Sequence, residues 1–64
     1  MTFQAMGSKL EIDGVSAYFS SHLAAFEAGM RLRDASWLPL HGRVTYFDDK
    51  DLSIYIELEK KLCP

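Results

Sequence analysis

The chain has 64 residues, a net charge of −2 and a hydrophobic content of 48%. That length predicts a single domain over residues 1–64, and the apolar fraction is too high for a disordered chain. A nearly neutral charge gives no global field that would attract nucleic acid or an anionic membrane. No apolar run approaches the roughly 18 residues that span a bilayer. Cys63 is the only cysteine. A single cysteine excludes an intrachain disulfide and a cysteine-rich zinc site. A free thiol is typical of a reducing compartment, so we expect the cytoplasm.

Residues 1–8 (MTFQAMGS) have two interpretations that the sequence leaves open. Their Met-Gly-Ser ending resembles the remnant of an expression vector, which would take no part in the fold. Alternatively, Thr2 to Met6 form a short edge strand that turns at Gly7-Ser8 into the next strand.

A strand is predicted over Lys9–Asp13, because Leu10 and Ile12 alternate with charged residues. A turn follows at Asp13-Gly14. The favoured interpretation of the next segment is a helix from Ser16, as the capping residue, to about Arg33. An apolar stripe at helical spacing supports that helix: Phe19, Leu23, Phe26 and Met30.

The alternative treats Asp13-Gly14 as the two-residue turn of a β-hairpin, for which Asp-Gly is a strong signal. Val15–Phe19 would then form a strand, and Ser20 or Ser21 would cap a shorter helix. Both interpretations contain a helix over His22–Leu32.

An apolar linker is predicted over Asp34–Gly42, because Pro39 ends any helix that precedes it. Two strands should follow, Arg43–Phe47 and Leu52–Glu59, and pair as a hairpin. The acidic run Asp48–Asp51 interrupts the apolar pattern where that hairpin has to turn.

The strand over Leu52–Glu59 is the firmest of these predictions, since apolar and polar residues alternate along it. Ile54 and Ile56 should be buried, and Tyr55 and Glu57 exposed. The predicted fold is α+β, with one amphipathic helix on a sheet of three strands, or four with the edge strand, in the order (β)βαββ. Its predicted core comprises Leu10, Ile12, Phe19, Leu23, Phe26, Met30, Val44, Tyr46, Leu52, Ile54, Ile56 and Leu58.

The residues that carry chemistry are sparse. The acidic cluster Asp48–Asp51 is too short and contains too few ligands for a calcium loop, so we expect a solvated turn and no metal site. His22 and His41 have no evident nucleophile or orienting carboxylate, and Cys63 lies next to the chain end. We therefore expect no catalytic residues and no cofactor.

Protein binding has better support, because the chain has more aromatic and aliphatic side chains than one helix on a small sheet can cover. The expected partner-binding residues are Trp37, Leu38, Leu40 and Tyr55. Alternatively, Trp37 and Leu40 fold back to close the core. A domain of this size is marginally stable alone, so we expect a homodimer that associates through a sheet edge or the Trp37 region. The leading hypothesis is a non-enzymatic interaction module, a regulator or inhibitor of the kind that mobile elements encode.

Two other classes of function stay open. A nucleic-acid-associated regulator would use Arg31, Arg33 and Arg43 to contact phosphate, although no RNA-binding sheet signature accompanies them. A small enzyme would need a site at a dimer interface near His22 or His41.

Overall fold

The computed structural model describes residues 2–34 and 46–62. In chain order the described elements are β1 (Phe3–Met6), β2 (Lys9–Ile12), β3 (Val15–Tyr18), α1 (His22–Arg33) and α2 (Asp49–Leu62). The strands form one antiparallel sheet in the order β1-β2-β3. The α+β class is therefore confirmed. The predicted order (β)βαββ with one helix is wrong, because the three strands come first and two helices follow.

Two tight turns connect the three strands. Gly7 lies in the first turn with a φ of 59°, and Asp13 and Gly14 form the second with φ values of 53° and 82°. Two consecutive positive φ angles are what a type I′ hairpin turn requires, and Asp-Gly adopts them at low steric cost. The hairpin interpretation of this turn is confirmed, and the favoured helix from Ser16 is wrong. The strand interpretation of residues 1–8 agrees with the position of β1.

Helix α1 begins after Ser21, which caps it. The Ser21 hydroxyl oxygen accepts a hydrogen bond from the backbone N–H of Ala24 at 3.1 Å. That bond satisfies one of the donors that the first turn of a helix leaves open. The helix predicted over His22–Leu32 is confirmed. Phe19 lies before the helix and not on its stripe, but it is buried as expected.

The largest correction concerns Leu52–Glu59, which was predicted to be a strand and lies within α2. Two patterns coexist in this segment. Apolar residues alternate along it, but Tyr55, Leu58 and Leu62 also recur at the spacing of a helix face. The structure follows the helical pattern. Because Tyr55 is 8% exposed and Ile56 is 41% exposed, the predicted register of this segment is wrong.

The core lies between one face of the sheet and the two helices, and rings from three segments meet in it. Phe47 stacks on Phe19 with 5.9 Å between ring centroids and lies 5.4 Å from the ring of Tyr55. The predicted core is confirmed for Leu10, Ile12, Phe19 and Leu58. It is wrong for the exposed residues Leu23, Phe26, Tyr46, Leu52 and Ile56. Met30 and Ile54 are half-buried, and Val44 lies outside the described residues.

The predicted linker Asp34–Gly42 lies almost wholly outside the described residues and stays a prediction. The same holds for residues 43–45 of the predicted strand Arg43–Phe47, whereas Tyr46 and Phe47 belong to no strand. Neither helix described within residues 2–34 and 46–62 is long and apolar enough to cross a membrane.

Candidate interaction surfaces

Helix α1 buries its alanines and Leu32 but exposes two of its other large apolar residues. Ala24, Ala25 and Ala28 are each 0% exposed, whereas Leu23 is 50% and Phe26 is 46% exposed. Met30, one turn after Phe26, is half-buried. We call Leu23, Phe26 and Met30 the outer face of α1. Their stripe was correctly recognised as helical, but the structure turns it away from the core because the alanine side of the helix packs on the sheet.

The close approach of α1 to β1 depends on Gly29. A Cβ atom built on Gly29 would lie 2.7 Å from Cγ of Phe3, well inside van der Waals contact. The ring of Phe3 also packs edge-to-face on Phe26, with centroids 5.8 Å apart, and lies 5.6 Å from the guanidinium carbon of Arg33. This close packing at Gly29 positions the Phe26 ring at one border of the outer face.

Helix α1 also carries a buried ion pair on the side that faces the protein interior. Glu27 and Arg31 are 5% and 7% exposed. Arg31 donates from Nε to Oε2 of Glu27 at 2.9 Å, and the backbone N–H of Tyr46 donates to Oε1 of Glu27 at 2.8 Å. Because each charge has a partner, the pair avoids the large free-energy cost of an isolated buried charge. Arg31 is thus engaged inside the protein.

The acidic residues before α2 form a reciprocal cap. The Asp51 N–H donates to Oδ1 of Asp48 at 2.8 Å, and the Asp48 N–H donates to Oδ2 of Asp51 at 3.2 Å. Ser20 joins this cap from 31 positions earlier in the chain: its N–H donates to Oδ1 of Asp51 at 2.7 Å. The Ser20 hydroxyl also donates to Oδ2 of Asp48 at 2.8 Å. We call these three residues the Ser20 junction. Its hydrogen bonds, first from the Asp51 N–H and then from the Ser20 hydroxyl, lower the pKa of the Asp48 carboxyl group.

This cluster was predicted to be a solvated hairpin turn, and that prediction is wrong for Asp51, which is 0% exposed at the start of a helix. The sequence did carry the signal. An acidic residue three positions after an aspartate is the spacing of a capping box, in which each side chain bonds the other residue's N–H. Within residues 2–34 and 46–62, no cluster of three or more histidine, cysteine or acidic residues could hold a metal ion.

The described structure does not bring the predicted partner-binding residues together. Tyr55 is buried against Phe47, so its predicted exposure is wrong. Trp37, Leu38 and Leu40 lie outside the described residues.

The residues of the alternative hypotheses lie only partly within the described residues. Arg33 is exposed beside Phe3, and Arg43 lies outside the described residues. His22 is exposed, with Nδ1 2.9 Å from the carbonyl oxygen of Gly7. His41 and Cys63 lie outside the described part of the chain.

A groove of about 230 Å³ runs between β3 and α2. Sequence reasoning missed it, because the groove exists only once Leu52–Glu59 is helical. We call it the β3–α2 groove, and its principal lining residues are Ala17, Ser53, Ile54, Glu57, Leu58 and Lys61. Its apolar lining comes from Ala17, Ile54 and Leu58, and its charged lining residues are Glu57 and Lys61.

The chain matches no protein-family model, and it has no significant match among curated proteins or solved structures. Its function is therefore inferred from the surfaces described above.

Proposed function

We propose that this protein is a small protein-binding module that acts through contacts and not through catalysis. The observation that carries the proposal is the outer face of α1, where Leu23 is 50% and Phe26 is 46% exposed. Adjoining large apolar side chains on a surface are typical of sites that another protein covers. On α1 they lie opposite the buried alanines, so packing of the core does not account for them.

The surroundings of this face suit a binding anchor. Phe26 is held by its edge-to-face contact with Phe3, so little side-chain freedom is lost when a partner covers it. Arg33 stands beside the same ring. A partner would therefore offer an apolar surface for Leu23 and Phe26, with an acidic group within reach of Arg33.

The test compares two pairs of exposed apolar residues. Leu23→Gln with Phe26→Gln removes the outer face of α1, and Leu52→Gln with Ile56→Gln is the matched control on α2, where both residues are also exposed. Glutamine is a good helix former, so both variants should stay folded, which far-UV circular dichroism checks. Light scattering on the purified protein and affinity capture from an extract of the source cells measure association.

We expect the α1 variant to lose self-association or its captured partner, and the α2 variant to keep it. Equal association by both folded variants would show that the outer face of α1 is not a binding site. Nucleic-acid binding has less support, because Arg31 is 7% exposed and paired with Glu27. A steep loss of DNA or RNA binding with salt would nevertheless revive it.

A further inference from the structure

We infer that the β3–α2 groove receives an extended polypeptide segment, which adds to β3 as a fourth strand. This site is separate from the outer face of α1 and goes beyond the proposed function, since it specifies the conformation of the ligand. The inference rests on the hydrogen-bonding state of β3, on the width of the helix layer and on the shape of the groove.

Within residues 2–34 and 46–62, the outer edge of β3 presents backbone groups that no other residue pairs with. The Phe19 N–H donates to the carbonyl oxygen of Ser8 at 2.8 Å. Bonded and non-bonded pairs alternate along an antiparallel ladder, so Val15 and Ala17 also direct their backbone groups to β2. Ser16 and Tyr18 consequently direct their N–H and C=O groups away from the sheet. No hydrogen bond from another described residue reaches these groups.

The helix layer is wider than the sheet beneath it. Helix α1 packs on β1 and β2, whereas α2 packs on β3. Helix axes lie about 8–10 Å apart in such layers, and neighbouring strands about 4.8 Å apart. Two helices therefore cover about the width of four strands, and the described part of the chain contributes three strands to the sheet. The β3–α2 groove lies where the fourth strand would be.

The lining of the groove defines the chemistry of this strand. Ala17, Ile54 and Leu58 form an apolar wall, so the ligand side chain that faces this wall should be aliphatic. Glu57 and Lys61 stand one helical turn apart, about 6 Å, which is close to the spacing of alternate residues in a strand. A basic and an acidic side chain on the ligand would complement them. Because Glu57 and Lys61 carry charges of opposite sign, the groove has little net charge, and peptide binding should depend only weakly on salt.

A second copy of this chain is a poorer occupant than a separate peptide segment. If β3 paired with a strand of another copy, a helix of that copy would lie over the β3–α2 groove. That is the space that α2 already covers, so the two helices would compete for it. A stable dimer also buries about 800 Å² on each partner. That is about a fifth of the 4229 Å² surface of this chain, and the four residues of β3 with one flank of α2 offer much less.

The probe is a panel of blocked synthetic peptides of about six residues, the length of an ordinary strand. In each, threonine alternates with three groove-facing residues: one valine, leucine or phenylalanine for the apolar wall, and a lysine and a glutamate to complement Glu57 and Lys61. Amide spectra of the full chain are recorded during titration. We expect shifts concentrated at Ser16, Tyr18 and the groove residues of α2. Methylation of the peptide nitrogens that face β3 should abolish these shifts, and methylation of the other nitrogens should not.

A pair of proline variants locates the edge. Ser16→Pro removes one unpaired N–H from β3, and Ala5→Pro is the matched change on the outer edge of β1, where the register also directs the N–H outward. We expect Ser16→Pro to weaken peptide binding about threefold to tenfold, the effect of one backbone hydrogen bond, and Ala5→Pro to leave it unchanged.

Several outcomes would overturn the inference. These are failure of every peptide to bind the wild-type chain, shifts confined to β1 or the outer face of α1, and shifts at Ser16 that appear when the protein alone is concentrated. The last result would identify a second copy as the occupant. The methylated peptides need no protein variant, so they decide the question even if Ser16→Pro unfolds. The variant Leu23→Gln with Phe26→Gln, which removes the outer face of α1, should bind the peptides as the wild type does, because the two sites are separate.

Discussion

Helix α1 meets the core with alanines, Gly29, a single large apolar residue (Leu32) and a buried ion pair, whereas α2 meets it with Tyr55 and Leu58. The first helix therefore depends on close backbone approach and on paired polar groups. The second depends on the burial of large side chains, which tolerates small shifts of the backbone. The comparison teaches that Leu23 and Phe26, which are exposed, are not required by the packing of α1, and this is why its outer face is the better candidate for function.

The largest expected effect comes from the polar side of α1. Glu27→Ala removes the carboxylate that pairs with the buried Arg31 and accepts from the Tyr46 N–H, so the free energy of unfolding should fall by about 3–5 kcal/mol. That loss is enough to unfold a marginal domain, and urea titration with circular dichroism measures it. The double variant Glu27→Met with Arg31→Met removes both charges and should recover most of the stability. If Glu27→Ala were as stable as the wild type, the Glu27–Arg31 pair would contribute as little to stability as a solvent-exposed ion pair does.

The second prediction contrasts equal truncations on the two helices. Leu58→Ala on α2 should cost about 2–5 kcal/mol, because Leu58 is 3% exposed and its removal leaves a cavity. Leu23→Ala on α1 should change the free energy of unfolding by about 0.5 kcal/mol or less, as surface substitutions do. Thermal or urea melts of the two variants give the comparison directly. Similar losses in both would show that the outer face of α1 contributes to folding after all.

The third prediction concerns the contact between Gly29 and Phe3. In the wild-type background, Gly29→Ala should destabilise the protein, because the new methyl group displaces the Phe3 ring. In a Phe3→Ala background the same change should stabilise it by about 0.5–1 kcal/mol, the usual advantage of alanine over glycine within a helix. Urea melts of the four proteins complete a double-mutant cycle. If Gly29→Ala changed the free energy of unfolding in the same direction in both backgrounds, close approach of Phe3 would not be the reason for this glycine.

The smallest effect is a pH dependence at the start of α2. Folding lowers the pKa of Asp48 below its ordinary value of 3.8, so the folded state binds fewer protons there than the unfolded state. The resulting stability is present above pH 3.8 and is lost as the pH falls through the lowered pKa. Asp48→Asn keeps a good capping residue but removes the titration, so its melting temperature should fall less steeply with acid. Melting temperatures of the two proteins are compared across this acidic range, and an unchanged slope in Asp48→Asn would contradict the prediction.

The sequence predicts the N-terminal half of the fold better than the C-terminal half, for a physical reason. Strand β2, the turn at Asp13-Gly14 and the cap at Ser21 follow from local conformational preferences. Segment 49–62 contains both a strand pattern and a helix pattern, and the choice between them depends on the cap at Asp48 and on where Tyr55 packs. Neither alternation nor propensity alone resolves that competition.

The candidate surfaces were even less predictable. Leu23 and Phe26 were assigned to the core because large apolar residues at helical spacing normally face it. Whether alanines or large residues face a sheet depends on how closely the helix can approach, and that distance is set by Gly29 and Phe3. The β3–α2 groove depends on the width of two layers, which is a property of the assembled fold and not of any segment.

The Ser20 junction also bears on the order in which the chain folds. The bonds between Asp48 and Asp51 close within one turn, whereas the bond from Ser20 closes a loop of 31 residues. Closing the longer loop costs about 2 kcal/mol more in chain entropy. We therefore expect the first turn of α2 to form early and transiently by itself, already capped. Attachment to Ser20 would come later, as the step that commits α2 to the sheet.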